Sequence, residues 1–148
     1  MFLGQYRHNL DSKDRLTVPA RYREPLEKGA YVMQGFDRNL MVMTDEAFDA
    51  VRAHLQGMSF TEPVTRLLRR LIFSTADRVE LDKAGRILIP QFLRQNMQLD
   101  GEVVLVGAGD YFEIWAPEAW VEQNAQLQDS QANAQRFAAL DLSTGPAV

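Results

Sequence analysis

Asp11-Ser-Lys-Asp-Arg15-Leu-Thr-Val-Pro19-Ala-Arg-Tyr-Arg23 and Asp82-Lys-Ala-Gly-Arg86-Ile-Leu-Ile-Pro90-Gln-Phe-Leu-Arg94 are two copies of one thirteen-residue pattern, seventy-one positions apart. Each copy has an Asp four residues before an Arg, then a short apolar run that ends in Pro. Self-similarity at a fixed period is the mark of repeated structural units, so the chain reads as two copies of one small module. The match continues downstream with a one-residue slip. Gly29-Ala-Tyr-Val-Met-Gln-Gly35 lies over Gly101-Glu-Val-Val-Leu-Val-Gly107, and the stretch from Asn39 to Phe48 lies over Tyr111 to Trp120. About forty-five residues of each copy are related, too few to bury a sufficient core alone, whereas two copies packed together suffice.

The local signals repeat with the pattern. Arg15-Leu-Thr-Val-Pro19 and Arg86-Ile-Leu-Ile-Pro90 read as strands, each closed by a Pro that cannot continue a sheet ladder and each leading into a brief helix. Glu102–Val106 and Tyr111–Trp115 read as a hairpin about the turn Gly107-Ala-Gly-Asp110; Tyr31–Gln34 and Leu40–Met43 repeat it more loosely. A helix follows each hairpin. Thr44 is a candidate cap for the first, with Phe48, Val51 and Leu55 on one face; Pro117 opens the second, with Trp120 and Leu127 along one face. Between the modules, residues 63–73 predict a linker helix with Val64, Leu67, Leu68, Leu71 and Ile72 as its apolar stripe. From about residue 128 the composition turns to Gln, Asn, Ala and Ser, which predicts a frayed helix and a loose tail from Ser143.

With 148 residues and 46% apolar content the chain has enough material for one body or two joined modules. It has no cysteine, so disulfides, thiolate nucleophiles and cysteine metal sites are excluded. No signal peptide is expected and no stretch approaches the ~20 apolar residues of a membrane helix, so the expectation is a soluble, cytoplasmic protein. The net charge of −4 hides an uneven distribution. Residues 1–23 hold five Lys/Arg against two acids, residues 66–94 hold seven against three, and the remainder holds four against fifteen. Basic charge therefore gathers at the two motif copies, where it can steer a polyanion.

An Arg at the start of a rigid strand has a fixed guanidinium, as bidentate contact with guanine or phosphate requires. Asp11 and Asp82 can bond backbone N–H groups within the loop or orient Arg15 and Arg86. Gly85 suits a turn with positive φ. One such loop would be read as a plain turn salt bridge. Two loops, with Lys13, Lys83, Arg7 and Arg78 beside them, favour a nucleic-acid contact: Lys13, Arg15, Lys83 and Arg86 as DNA-binding, Asp11 and Asp82 as loop-orienting, Arg7 and Arg78 as auxiliary contacts.

At these residues the chain resembles a known family. The opening Met1-Phe-Leu-Gly4, the stretch Asn9–Arg23 and the second stretch Leu81–Pro90 are similar to those of MraZ, a bacterial transcriptional regulator with two SpoVT-AbrB-type domains. The resemblance covers about residues 1–128. It implies an α+β, mainly β fold: a pseudo-dimeric swapped-hairpin β-barrel from two SpoVT-AbrB-like repeats with flanking helices. The expected divisions are 5–47 for the first domain, 48–75 for a helical connector, 76–119 for the second domain and 120–148 for a C-terminal helix and tail. It also implies a homo-oligomeric ring on the nucleoid that binds double-stranded DNA at short direct repeats upstream of the division and cell-wall gene cluster, regulating its own operon. Repression by covering the promoter follows from such occupancy. One departure stands out: the family has Gly before the first Arg, and this chain has Asp14, which tolerates left-handed geometry but adds negative charge beside Arg15.

Two rival readings stand against this one. For an enzyme, the only histidines are His8 and His54, and no carboxylate recurs beside a plausible nucleophile; no catalytic residue, metal, cofactor or small-molecule substrate is expected. Gly107-Ala-Gly109 lies between two strands without the third Gly and helix of a dinucleotide turn. The other rival is an oligomeric scaffold or protein-interaction ring without DNA readout, which has no need of twin basic loops.

Overall fold

Punctuation by Gly and Pro cuts the chain into short strands, and the pairing of those strands crosses between the repeats. The computed structural model describes residues 1–142; the tail expected from Ser143 lies outside them. The strands are β1 (Gln5–Asn9), β2 (Arg15–Thr17), β3 (Ala30–Gln34), β4 (Leu40–Thr44), β5 (Asp77–Val79), β6 (Arg86–Leu88), β7 (Glu102–Gly107) and β8 (Tyr111–Trp115). The helices are α1 (Ala20–Arg23), α2 (Asp45–Gln56), α3 (Pro63–Thr75), α4 (Gln91–Asn96), α5 (Pro117–Leu127) and α6 (Ser130–Arg136).

Six strands form one antiparallel sheet in the order β1-β7-β8-β4-β3-β5, and β2 pairs with β6 in a separate two-stranded ribbon. Exchanging each strand for its equivalent in the other repeat turns this order into its own reverse, so a pseudo-twofold axis passes between β4 and β8 and through the ribbon. The paired residues Leu16 and Ile87 mark the axis in the ribbon, as Met41 and Glu113 do in the sheet. Each repeat lends its first strand to the other's hairpin: β1 pairs with β7, and β5 with β3. Neither strand was anticipated, although the alternation Tyr6-x-His8-x-Leu10 carries a period-two signal.

The ribbon lies over one face of the sheet. Leu16, Val18, Ile87 and Ile89 are at most 1% exposed and share a core with Val32, Leu40, Val42, Leu105, Phe112 and Ile114. This common core is why neither repeat is a separate hydrophobic unit. At the N-terminus Phe2 is buried edge-on against Tyr22, ring centroids 5.0 Å apart, and the Tyr22 hydroxyl donates to the Leu3 carbonyl at 2.6 Å. Burial pushes the Tyr22 phenol up to about 12.

The architecture is mixed α and β, with a mostly antiparallel sheet, six helices and two repeats. A closed barrel is not found among the described residues. The outer strands β1 and β5 do not pair with each other, and the bridge Leu10–Leu16 that links the ribbon back toward the sheet falls just past the end of β1. The physical reason is length, because three-residue strands β2 and β6 exhaust their ladder on one another.

The helices follow the expected boundaries with informative exceptions. Thr44 accepts a hydrogen bond from the Ala47 N–H and caps α2. In α3 the buried line is Thr65, Ile72 and Thr75, while Val64 and Leu67, assigned to the apolar stripe, are 76% and 64% exposed. A helix packed on a flat sheet face buries a narrower line than periodicity alone suggests. In α5 Trp120 is buried as expected but Leu127 is exposed, since the helix outruns the sheet. Beyond it the expected fraying gives way to a distinct α6, capped by Asp129 through the Ala132 N–H.

Candidate nucleic-acid interface

Each motif copy builds the same loop from the same hydrogen bonds. One carboxylate oxygen of Asp11 accepts from the backbone N–H groups of Lys13 and Arg15, both at 2.9 Å, and the other accepts from Arg15 Nε at 2.8 Å. In the second copy, Asp82 accepts from the N–H groups of Ala84 and Arg86 and from Arg86 Nε, each at 2.9 Å. The carboxylate closes the turn and fixes the Arg stem in one stroke. Because the bond runs through Nε, each loop's own Asp leaves the two terminal guanidinium nitrogens available for bidentate contact with a base edge or phosphate.

These loops need one residue with positive φ. Gly85 supplies it at 76° and Asp14 at 61°, so the departure at Asp14 leaves the turn intact. The Asp14 carboxylate is 3.2 Å from Arg94 Nη1. Arg94 comes from the other repeat, and its Nε is held by the Ile89 carbonyl. The equivalent Arg23 is held by the Val18 carbonyl and lies over Gly85, where an added Cβ would stand 2.5 Å from Arg23 Nε. Each loop is thus braced by an Arg of the opposite repeat. Neither Arg23 nor Arg94 was singled out as functional from sequence, yet both fall on the thirteenth position of the pattern, a recurrence that could have flagged them.

Pairing of β2 with β6 brings the two loops to one surface. Arg15 stands opposite Leu88 and Arg86 opposite Thr17, with Leu16 and Ile87 turned inward. Arg86 Nη1 reaches 3.7 Å from Asp11, so the two motif copies touch. Lys13 and Lys83 are exposed on the loops. The structure therefore unites Lys13, Arg15, Lys83 and Arg86, with Asp11 and Asp82 beneath them. It does not bring Arg7 and Arg78 to this surface. They lie on the two outermost sheet strands and alternate away from the ribbon; Arg7 is paired with Glu102 at 2.6 Å, and Arg78 with Glu80 at 2.6 Å and Asp45 at 3.1 Å.

Charge on the loops follows from the same bonds. The Arg15 N–H, helped by the Lys13 N–H and the Arg15 side chain, holds the Asp11 carboxyl below its usual range against some desolvation. The Arg86 N–H leads the same effect at Asp82. Both loops keep their Asp–Arg pairs throughout neutral pH. Burial, with the Arg23 charge nearby, lowers the pKa of His8 and favours its neutral form.

The duplicated sequence pattern that builds these loops has counterparts in other proteins. The sequence model described as "MraZ protein, putative antitoxin-like" matches twice, over residues 1–71 and 72–142. This chain belongs to the MraZ family. A protein of Roseiflexus sp. (strain RS-1) named "Transcriptional regulator MraZ" is 41% identical over 138 residues, covering 93% of this chain and 94% of that protein. Proteins of the same name from Desulfitobacterium hafniense (strain Y51) and Desulforamulus reducens are 41% identical over 134 residues and 43% over 130. The former match covers 90% of this chain and 94% of that protein, the latter 88% and 92%. The boundary between the two MraZ matches falls within α3, the helix joining one interleaved repeat to the next. Among the described residues, no helix is long and apolar enough to cross a membrane.

Proposed function

We propose that this MraZ-family chain is a sequence-specific DNA-binding transcriptional regulator that reads double-stranded DNA with the β2–β6 ribbon. The observation that carries this reading is the union of two Asp–Arg loops with the same hydrogen-bond scheme on the outward face of one two-stranded ribbon. A β-ribbon fits the major groove of B-DNA, and forked Arg side chains match guanine O6 and N7. In this reading Arg15 and Arg86 contact base edges, Lys13 and Lys83 contact phosphates, and Asp11 and Asp82 aim the arginines. Arg7 and Arg78 have weaker support as auxiliary contacts, since each already holds an acid on the opposite face.

The wider reading rests on the family. The protein acts in the cytoplasm on the nucleoid, as a homo-oligomeric ring whose chains engage tandem direct repeats and repress transcription of its own division and cell-wall cluster. Several faces on one assembly make each later contact intramolecular, which compensates for the small area a single ribbon covers. The two layers act as one pseudo-dimeric barrel unit of the swapped-hairpin type, with domains at 5–47 and 76–119, a connector at 48–75 and a C-terminal part at 120–148. A gel shift on the DNA upstream of its own gene, repeated from low to physiological salt, tests the reading. Binding should weaken steeply as counterions compete for the phosphates, with a slope that grows with the number of repeats engaged. An affinity that ignores salt and sequence would favour the scaffold reading instead.

A further inference from the structure

The outward face of the β2–β6 ribbon has four positions, because directly opposed residues in an antiparallel pair share a face. Two are Arg15 and Arg86, equivalent by the repeat; the other two, Thr17 and Leu88, are also equivalent by the repeat but differ in chemistry. Leu88 is 57% exposed, while its neighbours Ile87 and Ile89 are at most 1% exposed. A lone exposed leucine on an arbitrary surface carries no message. This one stands directly opposite Arg15 on a ribbon only two strands wide, so any polyanion engaged by both arginines must also cover Leu88. Covering it with phosphate or a polar base edge would leave an apolar side chain against charge. The one apolar group on a major-groove edge is the C5-methyl of thymine.

On the basis of the DNA-reading function above, we infer that Leu88 is a specificity-determining residue that packs on a thymine methyl beside the base contacted by Arg15. Thr17, beside Arg86, presents a hydroxyl as well as a methyl and accepts more than one base at the matching position. The DNA element is therefore read with unequal ends, although the two loops that anchor it are copies. Orientation on the DNA follows from the same inequality, since turning the ribbon about its pseudo-twofold axis exchanges Leu88 with Thr17.

The test uses the full chain and duplexes it selects from a randomised library, with each thymine replaced in turn by deoxyuridine, which removes only the methyl. One position should weaken wild-type binding roughly four-fold, the equivalent of exposing one buried methyl. That loss should vanish in Leu88→Ser, whose melt should match wild type because the side chain is exposed, and persist in Thr17→Ser. If no deoxyuridine position distinguishes wild type from Leu88→Ser while selected duplexes still bind and the Arg15→Ala/Arg86→Ala double variant still loses that binding, the inference is overturned and DNA reading stands. If selection yields no bound duplex, DNA reading fails and the inference with it.

Discussion

The two motif loops share one hydrogen-bond scheme and differ at all three positions between their Asp and Arg, and the last of these, Asp14 against Gly85, decides how the bracing arginine is met. Asp14 and Gly85 hold the same left-handed turn. Asp14 answers the bracing Arg94 with a carboxylate, whereas Gly85 offers Arg23 only the space a Cβ would fill. Arg94 is neutralised in place; Arg23 has no ion pair among the described residues. Turn geometry asks only for a residue that tolerates positive φ, so backbone shape is kept between the repeats while charge is free to diverge. The second loop, with Lys83 at its tip and Arg23 beside it, is the more electropositive end of the ribbon.

The comparison presupposes that neither loop exists without the other repeat, and that premise carries the largest expected effect. A fragment of residues 1–58 lacks β7 for β1, β5 for β3 and β6 for β2, so it should expose apolar strands and fail to melt cooperatively. Addition of the remaining residues should restore structure. A monomeric fragment by light scattering with a cooperative melt would mean that the repeats are independent beads.

Next in size are the arginines themselves. Arg15→Ala and Arg86→Ala should each cost ~1–3 kcal/mol of specific binding, and the double variant should give no specific shift, with melting temperatures near wild type because both side chains are only half-buried and each loop Asp keeps its backbone N–H donors. Full affinity in the double variant alongside an unchanged melt would remove the assignment of both loops.

Exchanging the two turn residues gives a smaller and more discriminating effect. Asp14→Gly releases Arg94 and should tighten DNA binding several-fold at low salt, while Gly85→Asp displaces the Arg23 guanidinium, gives it a carboxylate and should weaken binding; the two curves should converge as salt rises. Changes in the same direction, or indifferent to salt, would show that the loops differ for some reason other than charge.

The smallest effect expected is with pH. The folded carboxyls of Asp11 and Asp82 lie below the ordinary value, so the loop structure they support is fully present above that value and is lost only as pH falls through the lowered one. DNA binding titrated from pH 6 to 8 should show no step from either loop, and a matched step in Arg15→Ala and wild type would point to another group.

Much of this site is legible in the chain because its bonds are local. Asp11 to Arg15 and Asp82 to Arg86 span four residues, the positive φ belongs to a single residue in each loop, and both hairpins announce themselves through their turns. Arg7 and Arg78 show where that logic ends. They sit near the motifs along the chain, but strand alternation turns them to the far face, where Glu102 of β7 and Asp45 of α2 supply their acids.

The amino-acid sequence by itself determined the twofold repeat, the strands β2 and β6 with their terminal Pro, the two hairpins, the capped helix after β4 and the internal wiring of each loop. Tertiary structure alone decided that β1 joins the second hairpin and β5 the first, that the sheet stays open, that Arg94 meets Asp14 while Arg23 meets Gly85, and that Leu88 stands opposite Arg15. The physical reason is separation. Turn and cap bonds are complete within a few residues and leave their mark in local residue types, whereas cross-repeat pairing is chosen by burial of a shared core whose contributors, such as Leu16 and Ile87, lie a whole repeat apart.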